Sequence, residues 1–183
     1  AGGNTPYLST VDRIDYSNDG IFASTRGPLS SARGYIAAAG NASYGYFGGG
    51  NYPGVDASSR VDRIDYSNDT PTATAKGPLS LAKHSIAATG NSDFGYFVGG
   101  KPGPLSSVDR IDYSNDTATA SPRGPLSNAM DYSAGTGTQS YGYIGSGSPT
   151  ISSVDRIDYS NDTATASPRG PLVIEKRWRG ATG

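Results

Sequence analysis

The chain has no cysteine, and among its 183 residues there are one histidine (His84), one methionine, one tryptophan and one glutamate (Glu175). Without cysteine there are no disulfides, no thiolate metal sites and no sulfur nucleophile. A single histidine leaves little for general acid–base work, and we expect no enzyme chemistry. No stretch approaches the ~18 consecutive apolar residues of a membrane-spanning helix, so membrane insertion is not expected. Fifteen basic and sixteen acidic residues are spread evenly, for a net charge of −1. No basic stripe exists to neutralise phosphates, and nucleic acid is not an expected partner. Hydrophobic residues make up only 34%, and 26 residues are glycine, poor material for a helical core. The 13 tyrosines and a recurring period argue against disorder.

What is present is repetition. VDRIDYSND occurs four times without a substitution, starting at Val11, Val61, Val108 and Val154, with spacings of 50, 47 and 46 residues. Each copy is followed by a Thr/Ala segment (TPTATA, TATASP; GIFAST in the first) and then by RGPL or KGPL. A small-residue run comes next (GYIAAAG, HSIAATG, DYSAGTG), then a short aromatic stretch (SYGYFGGG, DFGYFVGG, SYGYIGSG). Alternation within VDRIDY puts Ile14 and Tyr16 on one face of a strand, and Val11 and Arg13 on the other. IAAAG and GYFGG read as short strands separated by turn pairs such as Gly40-Asn41. TATAS reads as a further strand, and its neighbouring Pro122 and Pro168 suit only an edge. Four strands every 46–50 residues is the signature of a β-propeller blade. The expected fold is therefore all-β: residues 1–183 as one β-propeller domain of four four-stranded antiparallel repeats, with IAAAG innermost because alanines permit close approach at a crowded axis.

The double glycines Gly49-Gly50 and Gly99-Gly100, the tyrosines Tyr16, Tyr66, Tyr113 and Tyr159, and the segments GPLSSAR and GPLSLAK resemble the kelch repeat. The resemblance covers essentially the whole chain and implies a propeller. It departs from the family at the fourth-strand tryptophan, where Ala73, Ala120 and Ala166 stand. Kelch-type copper oxidases need a Cys-modified tyrosine and two histidines, which this composition excludes. The SNDTATAS…RGPLS array is also similar to repeats in virion structural proteins of marine cyanobacterial phages.

A motif that docks repeat to repeat must recur once per repeat. We therefore read Asp12, Arg13 and Asp15, with Asp62, Arg63, Asp65, Asp109, Arg110, Asp112, Asp155, Arg156 and Asp158, as structural docking residues. Each arginine is expected beside a carboxylate of an adjacent strand or repeat, since an unpaired buried charge costs several kcal/mol. A rival reading of the oxygen-rich Asp15–Asp19 type of turn is calcium, although the distal bidentate glutamate of a calcium loop is absent. A plain Asx-type turn explains the same letters, and no cofactor is otherwise expected.

The repeats differ most between the double glycine and VDRIDY. Those loops open on one face, and Tyr7, Asn51, Tyr52, Asp56 and Lys101 are the candidate ligand contacts. Two function classes stay open. One is a non-enzymatic recognition or adhesion propeller, lectin-like or virion-fibre-like, that binds a glycan or a surface protein. The other is a passive structural scaffold of a virion or extracellular appendage. Both place the protein outside the cell or on a virion surface, with self-assembly as a further expectation. The chain opens on AGG, without an initiator methionine, which reads as a processed or excised end. Gly170–Gly183 aligns on Gly77–Gly90, so the two ends are expected in one blade. That fits either a closed four-bladed ring or a window of a longer array.

Overall fold

Short alternating segments punctuated by Gly, Asn and Pro can form strands but not helices, and the computed structural model has that character. It describes residues 7–149 and 152–173. Among these, the only helical elements are single turns of 3-10 helix at Tyr113–Asn115 and Tyr159–Asn161. The first sheet has two strands, β1 (Val11–Arg13) and β2 (Ser24–Arg26). The second sheet contains β3 (Ala37–Gly40), β4 (Tyr44–Gly48), β5 (Val61–Asp65) and β6 (Thr74–Lys76). The third contains β7 (Ala87–Gly90), β8 (Phe94–Val98), β9 (Val108–Asp112) and β10 (Ser121–Arg123). The fourth contains β11 (Ala134–Gly137), β12 (Tyr141–Gly145), β13 (Val154–Asp158) and β14 (Ser167–Arg169). Strands follow one another antiparallel in chain order within each sheet.

Local chemistry sets the turns. Asn41 Oδ1 accepts from the N–H groups of Ser43 and Tyr44, and Asn91 does the same for Asp93 and Phe94. Thr138 supplies the oxygen in the fourth sheet. At the other end of these hairpins, Gly49 and Gly50 take φ of +68° and +101°, a left-handed conformation that explains the paired glycines.

The fourth strand begins later than the sequence suggests. In the TATAS region of the third repeat only Ser121 is in a strand. The Ala120 N–H donates to Pro78 O of the preceding connector rather than to a neighbouring strand, which draws the Thr/Ala stretch away from the sheet. Ala73, Ala120 and Ala166 are all buried there. Pro122 and Pro168 lie on the edge strands β10 and β14.

Each sheet packs a Val/Arg face against the Ile face of the next. Val11 and Leu29 meet Ile64 and Ala73; Tyr46 and Val61 meet Ile111 and Ala120; Tyr96 and Val108 meet Ile157 and Ala166. The small-residue strands lie side by side, β3 against β7 and β7 against β11. The expectation of four four-stranded sheets is met in three. The two ends expected to share one blade, residues 1–6 and 174–183, lie outside the described residues. No closed ring is found among the described residues.

Candidate functional site

The nonapeptide does three separate jobs. Its arginine crosses to the next sheet: Arg13 lies 2.8 Å from Asp69, Arg63 2.7 Å from Asp116 and Arg110 2.9 Å from Asp162. The acceptor is the ninth residue of the following copy, so each junction uses the third position of one nonapeptide and the ninth of the next. A second cation, just before Gly-Pro-Leu, joins the pair: Arg26, Lys76 or Arg123. The Tyr46 hydroxyl donates to Asp116 at 2.9 Å while its ring stacks on Tyr113 at 4.6 Å, and Tyr96 repeats this with Asp162 and Tyr159. Burial, then the hydrogen bond and the nearby Asp116 charge, push the Tyr46 phenol above its ordinary range. Arg156 has no carboxylate partner among the described residues; its guanidinium lies 4.3 Å from the centre of the Tyr141 ring. The arginines are half-buried to exposed rather than enclosed, with 23% of the Arg63 side chain accessible and 50% of Arg13.

The second residue of the motif holds a connector instead of a neighbouring sheet. Asp62, fully buried, accepts from Ser30 N and Oγ and from Arg33 Nη2 at 2.7 Å. Asp109 accepts from Ser80 Oγ and has Lys83 Nζ at 3.0 Å. Asp155 accepts from Ser127 N at 2.8 Å and Oγ at 2.6 Å, and the place of Arg33 and Lys83 is taken by Met130. Asp12 is exposed and, among the described residues, receives only Thr25.

The fifth residue works locally. Asp15, Asp65, Asp112 and Asp158 each accept from the N–H and hydroxyl of the serine two positions on. Those bonds hold their carboxyls below the usual range. Among the described residues these side-chain bonds stay inside the turn, and the contact to the neighbouring sheet is made by the ninth residue instead. At the turns considered for calcium, the first carboxylate is thus engaged by serine. The last, at Asp69, Asp116 and Asp162, is engaged by the preceding sheet's cations.

The loop face gathers a different set of groups. Tyr35, Ser85 and Tyr132 occupy equivalent positions, all at positive φ (+54°, +54° and +50°). The Ser85 N–H donates to Tyr35 O and the Tyr132 N–H to Ser85 O, a staircase that links three repeats. The Tyr35 ring lies 5.9 Å from the His84 ring and 6.0 Å from that of Tyr132. Two expected loop residues join them. Lys101 pairs through its backbone with His84, and its ammonium lies 5.3 Å from the centre of the Tyr132 ring and 3.7 Å from Asp131. Asp56 lies 3.7 Å from His84 Nε2. Asn51 pairs with Gly34 through backbone, and Tyr52 closes a tight turn with Val55. Tyr7 has no hydrogen bond or ring contact to this cluster among the described residues.

Burial holds the His84 imidazole below its usual 6.5 despite Asp56; Lys101 acts in the same direction as burial, and Asp131 against it. The ring is therefore neutral near pH 7. His84 Nδ1 shares a 2.9 Å hydrogen bond with Ser85 Oγ, which gives the order Ser, His, Asp. Ser85 is buried, however, and the Asp56 contact is longer than a hydrogen bond, so the set lacks the exposed nucleophile and oriented base of an acyl-transfer site.

Sequence reasoning weighed the ninth-position Asp (Asp69, Asp116, Asp162) only within a calcium-type turn and His84 only as a lone histidine, and it passed over the second cations, Tyr35 and Tyr132. The junction residues carried a signal, since a ninth-position Asp and a cation before Gly-Pro-Leu recur together. The cluster carried none, because its equivalent positions hold Tyr, Ser and Tyr. No family model matches this chain, and no curated protein matches it.

Proposed function

We propose that the sheets are blades of a β-propeller, and that the protein is a non-enzymatic recognition module. In this reading it binds a glycan or a surface protein through its loop face, outside the cell or on a virion. The observation that carries the proposal is the convergence of the half-buried Tyr35, Tyr132 and Lys101 with the exposed Asp56, backed from beneath by the buried Asp131 and His84. Aromatic faces stack on the apolar side of a sugar ring, while an ammonium and carboxylates bond its hydroxyls. The positive φ shared by Tyr35, Ser85 and Tyr132 belongs to the architecture, since all three repeats have it. The ligand chemistry rests on the side chains alone.

A glycan array with the intact chain, repeated with Tyr132→Ala and Lys101→Ala, tests this reading. Binding to a defined sugar set that falls about tenfold or more in either variant, with melting temperature unchanged, is the expected result. Silence across sugars and candidate surface proteins would favour the passive scaffold of a virion or appendage. The recurrence of one junction between successive repeats, three times over, supports that second reading.

A further inference from the structure

We propose that the outer faces of the first and fourth sheets are two halves of one more junction, and that a second copy of this chain docks there head to tail. The argument is independent of the ligand reading. Each internal junction has a donor side carrying the Arg, the second cation, a Gly and a Leu, joined by Tyr46 and Tyr96 at the second and third junctions. Its acceptor side carries the Asp, a Tyr and an Ile. The fourth sheet presents a complete donor side and the first sheet a complete acceptor side.

The glycines supply the sharpest observation. A Cβ on Gly27, Gly77 or Gly124 would lie 1.8, 1.9 or 2.0 Å from a backbone carbonyl oxygen of the next repeat. Their N–H groups donate to the carbonyls of Asp69, Asp116 and Asp162. Gly170 holds the same place in the fourth repeat, yet nothing lies within 4 Å of it. The carbonyls that fill the internal cradles belong to Pro71, Ala118 and Ala164; their counterpart in the first sheet, Ile21, is 57% exposed.

Apolar and charged groups follow the same division. Leu29, Leu79 and Leu126 are at most 3% exposed, whereas Leu172 is 39% exposed. Ile64, Ile111 and Ile157 are buried, whereas Ile14 is 57% exposed and Tyr16 92%. Arg156 and the exposed Arg169 stand ready on one face, and the exposed Asp19 on the other. The faces are complementary in shape and charge but neither matches itself, so the contact is heterologous and propagates or closes into a ring. Among the described residues of one chain they do not meet, as the openness of Gly170 and Tyr16 shows. A second copy brings the missing half.

Sedimentation velocity of the intact chain over a wide concentration range tests the proposal, with Asp19→Arg and Gly170→Leu as face-specific blocks. Both positions are exposed; Tyr16→Ala and Leu172→Lys serve as second variants if either block alters the circular dichroism spectrum. The parent should associate with rising concentration. Each variant alone should remain monomeric. An equimolar mixture of the two should form a dimer and nothing larger, because one good face of each kind remains. A parent that stays monomeric throughout, as it would if its own ends closed the ring, overturns the proposal. So does a variant that assembles like the parent, or a mixture that stays monomeric.

Discussion

Asp62 and Asp155 occupy equivalent positions on equivalent strands, and both are fully buried. Asp62 meets a serine and the enclosed guanidinium of Arg33; Asp155 meets the equivalent serine and, in place of the cation, Met130. The two serine bonds are present in both. What this pair teaches is that the serine, not the cation, is the common device for holding this carboxylate. The cation in the second and third repeats adds a second buried charge, with its own desolvation to offset. Arg33 shows that cost: burial lowers its pKa even with Asp62 beside it.

The same substitution at the two sites should therefore diverge. Asp62→Asn leaves the Arg33 guanidinium enclosed without a counter-charge and should cost ~3–5 kcal/mol in a denaturant titration. Asp155→Asn strands no cation and should cost ~1 kcal/mol or less. Equal losses at both sites would break the comparison. Arg63→Ala, at a sheet junction, should fall between, at ~1–3 kcal/mol, because Asp116 retains Lys76 and Tyr46. Met130→Lys would give Asp155 the partner its counterparts have, and should shift stability by less than ~1 kcal/mol, since a new buried ion pair about breaks even.

Acid sensitivity should come from the junctions. Burial works against the Asp116 carboxylate, but hydrogen bonds from Tyr46 and Lys76 and the charges of Arg63 and Lys76 outweigh it and hold its pKa below 3.8. A folded pKa below the unfolded one means the unfolded state binds the proton more readily. That contribution is fully present above pH ~4 and is lost as pH falls through the lower folded value. Melting temperature against pH should show this decline, and Asp116→Asn should flatten it. His84 gives the smallest effect, in a higher window. Its pKa is depressed below 6.5, so stability should drop slightly as pH falls below that value, and His84→Gln should remove the drop.

Much of the architecture was legible because the repeat carries it in every copy. The alternation of VDRID places Val61 and Ile64 on opposite faces, and the alanines of β3 and β7 do pack together. The partner of each arginine was not legible from the letters. With four identical nonapeptides, every Asp is an equally good match in sequence, and only packing selects the ninth residue of the next copy. Strand β10 was misplaced because Thr and Ala favour extended backbone in general, while the bond from Ala120 to Pro78 decides where the ladder starts. His84 looked incidental, since no other repeat has histidine there. Its neighbours Tyr35 and Tyr132 are brought to it by the backbone staircase, not by any sequence spacing.

The joint formed by the third position of one copy and the ninth of the next makes the repeats interchangeable parts. Each nonapeptide offers the same plug to its successor and the same socket to its predecessor, so any copy can follow any other. A copy that drifted at either position would spoil its fit with a neighbour that had not drifted, which accounts for identity at those two positions. Whole repeats can be duplicated or deleted by unequal exchange at the DNA level without leaving a mismatched joint.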